Sequence, residues 1–225
     1  MSARQPLAPF EHLAHLGKAL ASAPRLRVLH LLCQCERTVA QLAKCMGLPV
    51  GIVSHHLQVL SRVHLVAAQK AGRHVVYRLA DENVKAFWLD YREFAEGRLT
   101  ELQLLAAALT GERATRGRVD RVQVRRLVAD DAAVLLDVRP DREYAAGHLP
   151  GALSFPLEEL PRRLQDIPPG KVVVLYCRGP YCLLADDAQK ILAERGIRAL
   201  RYEDGVDEWA AAGLPVSRFL QSPID

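Results

Sequence analysis

Apolar residues over positions 10–65 recur at three-to-four spacing in four bursts, HLAHLGKAL, PRLRVLHLLCQC, TVAQLAKCMG and GIVSHHLQVLSRVHLV. That spacing belongs to helices that bury one face. Pro24, Glu36-Arg37 and Gly47-Leu48-Pro49 separate the bursts. VAAQKAGRHVVYRLA then reads as two strands joined at Ala71-Gly72. Asp81 caps a long helix, 81–109, with Val84, Phe87, Trp88, Tyr91, Phe94, Leu102, Leu105 and Leu109 along one stripe. The run ends at Gly111. Residues 111–118, GERATRGR, hold no apolar side chain larger than alanine and read as a linker. The pattern then changes to strand (AVLLDVR), loop, helix (LEELPRRLQDI), strand (KVVVLY), helix (LLADDAQKILAERG), strand (IRALRYE) and short helix (VDEWAAAG). Strands alternating with helices predict a small parallel α/β domain.

The chain has 225 residues, half of them apolar, which suits two modest domains. The expected division is a mainly α winged helix-turn-helix domain (1–110), a linker (111–118) and an α/β domain (119–225). No stretch approaches the roughly eighteen apolar residues of a membrane helix, and MSARQPLAPFEHL lacks the apolar centre of a secretory signal. The expectation is a soluble, cytoplasmic protein without a membrane partner. Charge is uneven. Residues 1–80 carry ten Lys/Arg against two acids, and residues 114–225 carry sixteen against seventeen. The basic first part suits a polyanion partner. Cysteines stand at 33, 35, 45, 177 and 182, an odd set that fits reactive, metal-binding or buried thiols better than a disulfide framework.

Several helices followed by a hairpin predict a winged helix. Its second turn helix, Val50–Val63, would offer Ser54, His55, His56 and Gln58 to base edges in a major groove. Lys70, Arg73, His74 and Arg78 on the wing would meet phosphates of double-stranded operator DNA. GLPVGIVSHHLQVLSRVHLVAAQKAGRHVVYRLAD resembles the turn, recognition helix and wing of the ArsR family of bacterial repressors, over roughly residues 10–110. The resemblance implies a homodimer paired through the first helix and helix 81–109. It also implies DNA release when a metal, metalloid or oxidised sulfur species binds. The family's Cys-X-Cys metal box aligns with TVAQLA, putting Thr38 and Ala40 where cysteines would stand. Cys33-Gln34-Cys35 falls five residues earlier, and the last helix lacks the spaced His and acidic zinc ligands. No metal site or cofactor is therefore expected, although Cys33, Cys35 and Cys45 remain candidate sensing thiols for arsenite or redox chemistry. Pro49 and Val50 stand where the family often has capping and base-contacting residues.

VLYCRGPYCLLADD places Cys177 at the end of a strand and before a helix. Backbone N–H groups and the helix dipole converge at such a turn, which predicts a stabilised Cys177 thiolate with a lowered pKa. Arg178 adds positive charge, and Gly179-Pro180 permits the curl. LLDVRPDREYAAGHLPGA, this loop and RYEDGVDEWAAAGLPV together resemble the rhodanese domain over roughly residues 119–220. The resemblance implies a persulfide on Cys177, with Asp137 and Arg139 near the loop and Glu143 and His148 holding a turn. Asp204 replaces a common glycine, and Gly205 is kept. Leu183 stands where a phosphatase of this fold needs an arginine, which argues against an oxyanion clamp. Cys182 is either a resolving thiol that attacks the persulfide or a small space-filling side chain; Tyr181 could shape the pocket mouth.

The expected function is a repressor that responds to sulfane sulfur or thiol oxidation at Cys177, Arg178, Cys182, Asp137 and Arg139. Its small partner would be a sulfane-sulfur donor or a small thiol. Two alternatives stand beside it: a rhodanese-type sulfurtransferase with an accessory DNA-binding domain, and an arsenite-responsive repressor using Cys33, Cys35 and Cys45.

Overall fold

The computed structural model describes residues 7–219. The chain forms two compact units that divide after Trp88.

In the first unit, helices α1 (Ala8–Leu20), α2 (Ala23–Gln34), α3 (Val39–Met46) and α4 (Val50–Arg62) precede a hairpin of β2 (Val66–Ala71) and β3 (His74–Leu79). A short strand β1 (Arg37–Thr38) pairs antiparallel with β3, giving sheet order β1-β3-β2. The apolar bursts meet as expected. Val28, Leu29 and Leu32 of α2, Leu42 of α3, Val53, Leu57 and Leu60 of α4, and Val76 and Leu79 of the wing are all buried. Thr38 accepts a hydrogen bond from the Gln41 amide (3.3 Å) while Gln41 Oε1 accepts one from the Thr38 amide (2.8 Å), a capping box that starts α3. Gly47 ends that helix at φ +65°, a left-handed turn that glycine adopts without penalty. Ala71 pairs with His74, so the wing turns on Gly72-Arg73 with Gly72 at φ +57°. Glycine first in a two-residue loop is the sequence preference of a type II′ hairpin.

The predicted helix 81–109 is two helices, α5 (Glu82–Glu96) and α6 (Thr100–Arg116). The break falls at Gly97, a poor helix former, and the amides of Arg98 and Leu99 fold back onto the Ala95 carbonyl. Because α6 continues to Arg116, residues 111–116 are helical rather than a linker.

The second unit holds a five-stranded parallel sheet, β4 (Arg118–Val119), β5 (Ala133–Asp137), β6 (Leu153–Ser154), β7 (Val172–Cys177) and β8 (Ala199–Gly205), in the order β4-β8-β7-β5-β6. Helices α7 (Arg121–Ala129), α8 (Asp141–Ala146) and α9 (Leu184–Ala193) connect strands, and α10 (Val206–Ala211) follows the last of them. Both sheet faces are covered. Val134, Leu136, Val173, Leu175 and Cys177 pack with Ala185, Ala188 and Leu192 on one side. Leu135, Val174 and Tyr176 pack with Tyr202, Val206 and Trp209 on the other. This two-sided burial explains the unbroken apolar run KVVVLY. The segment LEELPRRLQDI forms two 3-10 turns, Leu160–Arg162 and Leu164–Asp166, instead of a helix. Pro161 has no N–H to give to an i−4 carbonyl there. Helix α7 is an addition to the sequence expectation, started by a second capping box between Asp120 and Gln123.

Candidate functional site

Strand β7 delivers Cys177 to the sheet edge, where pairing with β8 is irregular: Leu175 opposes Arg201, and Cys177 opposes Gly205. The extra residues of β8 bend it locally, as a bulge does. A Cβ on Gly205 would lie 2.8 Å from the Arg178 carbonyl carbon, the Cys177 oxygen and the Gly179 nitrogen, so only glycine lets the loop sit here. Beyond Cys177 the chain curls through Gly179 at φ +113° into α9.

Within this curl the two cysteines face each other with opposite tendencies. Cys177 is 1% exposed, and its thiol donates to the Cys182 carbonyl (3.5 Å). Burial pushes its pKa well above the usual thiol range, and its neighbour Cys182 adds to the rise; Arg201 and the Ala185 amide oppose it. Cys182 is half-buried. The hydrogen bond from Cys177 pulls its pKa down to about 6, against burial, aided by the amides of Arg178 and Leu184 and the Arg178 charge. The expectation of a lowered Cys177 pKa is therefore corrected. The convergent amides exist, but two of the three, those of Arg178 and Leu184, serve the sulfur at the far end of the loop, while Cys177 lies in the apolar layer with only the Ala185 amide.

Arg178 does not lend its charge without constraint. Its Nε and Nη2 donate to the carboxylate of fully buried Glu143 at 2.8 and 2.7 Å, so Glu143 anchors the loop. Asp137 and Arg139 pair with each other (Nη2–Oδ2 2.6 Å), and Arg139 also donates to the Gly147 carbonyl (2.6 Å). Both are buried, and they join the end of β5 to the turn after α8. His148 Nδ1 lies 2.8 Å from the Tyr144 carbonyl, with its ring stacked on Tyr144 at 3.9 Å. Asp204, in the place of a glycine, accepts from Arg121 (2.7 Å) and from the Tyr202 hydroxyl (3.2 Å). Glu208 was missed from sequence. It accepts from the Gly205 amide (2.8 Å) and from Arg92 (2.6 Å), and its carboxylate lies 3.0 Å from where a Cβ on Gly179 would stand. Burial and the Glu96 carboxylate push the Tyr181 phenol up to about 12.

In the first unit, His55 and Gln58 are exposed on α4 and Ser54 is partly so, beside exposed Val50 and Ile52. His56 is half-buried, and burial followed by the Arg25 and His55 charges lowers its pKa. On the wing, Lys70, Arg73 and His74 are exposed. Arg78 folds its guanidinium onto the carbonyls of Leu79 (3.1 Å) and Ala80 (2.9 Å). Cys33 and Cys35 are buried at the end of α2, and Cys45 lies 3.7 Å from Arg37 Nη1. Among the described residues no group of three or more His, Cys, Asp or Glu side chains is placed to hold a metal ion. The arsenite trio is thus not assembled, because α2 turns its cysteines into a packed core. No helix among the described residues is long and apolar enough to cross a membrane.

A winged helix-turn-helix with an exposed polar stretch on α4, joined to a parallel α/β unit with a thiol loop, defines a DNA-binding regulator fused to a rhodanese-type fold. Residues 23–68 match the model of the bacterial regulatory protein arsR family, and residues 120–212 match the rhodanese-like domain. The HTH-type transcriptional regulator Rv0324 of Mycobacterium tuberculosis is 37% identical over 206 residues, covering 92% of this chain and 90% of that protein. The chain belongs to the ArsR family of regulators, in the form that carries a C-terminal rhodanese-like domain. A sulfurtransferase of Allochromatium vinosum is 35% identical over 92 residues, covering 40% of this chain and 84% of its own. The solution structure of a homodimeric winged-helix domain from Mycobacterium bovis, a possible ArsR-family regulator, is 35% identical with a TM-score of 0.40, covering 44% of this chain and 91% of that one.

Proposed function

We propose that this protein is a homodimeric repressor whose operator affinity falls when the Cys177–Cys182 loop takes up sulfane sulfur. The observation that carries the reading is the thiol pair: Cys182 half-buried and Cys177 buried in one curl of backbone, the Cys177 thiol donating to the Cys182 carbonyl, with the pKa of Cys177 pushed up and that of Cys182 pulled down. The rhodanese resemblance assigns the persulfide to Cys177, whereas accessibility and acidity favour Cys182 for the first attack. The Cys182 thiolate attacks the outer sulfur of a persulfide donor, R–S–SH. The donor S–S bond breaks, RS⁻ leaves, and Cys182 carries –S–SH. Cys177 then gives up its proton and attacks Cys182 Sγ, expelling HS⁻ and leaving a Cys177–Cys182 disulfide. The donor's sulfane sulfur is the oxidant, so no further reagent is needed.

Within the first unit, exposed Phe10 and Leu13 of α1 would contribute to pairing two copies, as would Phe94 of α5 and Leu104 and Leu105 of α6 in the second. Ser54, His55 and Gln58 would read bases, and Lys70, Arg73 and His74 would meet phosphates; His56 and Arg78, engaged within the fold, would support them. The test is operator binding by fluorescence anisotropy, with intact mass recorded before and after glutathione persulfide. Wild type, Cys177→Ser and Cys182→Ser are run together. Loss of DNA binding that tracks a sulfur gain or a two-hydrogen loss in wild type, and fails in Cys182→Ser, supports the reading. Sulfur uptake with unchanged DNA binding overturns it and leaves a tethered sulfurtransferase. The order of attack is read separately: Cys177→Ser should stall as the Cys182 persulfide.

A further inference from the structure

Strand β8 buries one charge completely. Arg201 is 0% exposed, and one nitrogen, Nη2, donates to the Gly179 carbonyl (3.2 Å) and the Cys182 carbonyl (3.1 Å). The Cys182 oxygen is the same atom that accepts the Cys177 thiol. On its other side Arg201 Nη1 lies 3.4 Å from Asp186 Oδ2, in the first turn of α9. Asp186 in turn holds Arg113 of α6 through two contacts, Nε–Oδ1 3.1 Å and Nη2–Oδ2 3.2 Å, with Arg116 at 3.5 Å. Glu203 lies 3.4 Å from Arg113 Nη1.

Burying a guanidinium is costly, and an apolar side chain of similar length would often pack as well. What arginine adds at this position is a donor directed at two loop carbonyls. Peptide units are planar, so fixing a carbonyl fixes the whole unit. The two pinned carbonyls bracket Pro180 and Tyr181, and the second belongs to Cys182 itself. Without Arg201, both oxygens would be buried without this donor and the loop would be free to turn them toward solvent.

We propose that Arg201 is the positioning residue of the thiol loop: it pins the Gly179 and Cys182 carbonyls inward, and Asp186, shared with Arg113 of α6, holds its guanidinium in place. The charged groups facing the loop are then Arg201 from β8, Arg178 and its partner Glu143, Asp186 from α9, Glu208 from α10, and Arg92 and Glu96 from α5. Because Asp186 serves α6 as well, a change in the loop that moves Arg201 is felt at Arg113. The sulfur-loading part of the test rests on the function proposed above; the alkylation part does not.

The experiment uses full-length Arg201→Met and Arg201→Lys proteins beside wild type. Iodoacetamide labelling of Cys177 and Cys182 is followed against pH by peptide mass, sulfur loading from glutathione persulfide by intact mass, and folding by circular dichroism. With Arg201→Met the Cys182 labelling midpoint should move up by about one pH unit, and sulfur loading measured at pH 5 should slow about threefold, the loss of thiolate outweighing the gain in nucleophilicity. Lysine, whose single ammonium lacks the planar fork, should fall between. A folded Arg201→Met protein with wild-type midpoint and loading overturns the proposal, as does a lowered melting temperature with the midpoint unmoved. If the methionine variant does not fold, the lysine variant decides by the same two readouts. If wild type takes up no sulfur, the functional reading fails while the labelling midpoint still judges Arg201.

Discussion

At neutral pH the more acidic loop thiol, Cys182, should label before Cys177, and the pH dependence of that labelling is the sharpest test of the site. With a pKa of about 6, Cys182 is about 90% thiolate at pH 7, against about 3% for an ordinary cysteine near 8.5. The roughly thirtyfold gain in thiolate is mostly cancelled, because nucleophilicity falls with pKa at a Brønsted slope of about 0.4–0.5, a loss of about 10- to 18-fold. The rate at pH 7 thus rises only about two- to threefold, but at pH 5.5 the net advantage grows to about fifteenfold. The assay is iodoacetamide labelling from pH 5 to 9 followed by trypsin, which cuts after Arg178 and so leaves the two cysteines on separate peptides. Cys182 should reach half its plateau rate near pH 6, with Cys177 slower throughout. Cys177→Ala removes the principal donor to Cys182 and should raise that midpoint by about one unit. A wild-type midpoint near 8.5, or earlier labelling of Cys177, would refute the assignment. Stability carries the same signature. The depressed Cys182 pKa stabilises the fold above the ordinary thiol range, and that contribution fades as pH falls through about 6. The raised Cys177 pKa acts oppositely, stabilising below the ordinary range and losing that contribution as pH rises. Wild type should therefore lose more melting temperature than Cys182→Ser between pH 8.5 and 5.5.

Four further outcomes follow from other contacts. Gly205→Ala forces a Cβ against three backbone atoms of the loop; it should cost about 1–3 kcal/mol in a denaturant melt and abolish the acidic labelling of Cys182. Glu143→Ala strands Arg178 beside a buried hole and should cost about 3–5 kcal/mol, whereas Glu143→Gln should retain most of the stability. Thr38→Ala removes the α3 capping box and should lower stability by about 1 kcal/mol, leaving loop labelling unchanged. Arg73→Ala on the wing should reduce the log–log salt slope of operator binding by about 0.9; an unchanged slope would remove Arg73 from the phosphate contacts.

Much of this architecture is legible locally. The three-to-four spacing before residue 65 and the unbroken run KVVVLY define a winged helix and a two-sided parallel sheet, because each pattern buries its apolar face in only one economical way. Thr38-x-x-Gln41 and Asp120-x-x-Gln123 both announce helix starts. The break at Gly97 was hidden by a stripe that continues in phase across it. The candidate residues divide in the same way. That residues 177–182 form a thiol loop follows from chain order, since a strand, a glycine-bearing curl and a helix must bring amides together. Which sulfur is acidic does not follow, because it depends on groups distant in the chain. Glu143 engages Arg178 across 35 positions, and Arg201 reaches the Gly179 and Cys182 carbonyls from another strand. Likewise Cys33 and Cys35 have ligand-like spacing along the chain, yet the packing of α2 commits both to the interior. Sequence determined most of the elements and the chemical inventory; burial and long-range donors, set only by the tertiary fold, decided in which direction each thiol's pKa is displaced.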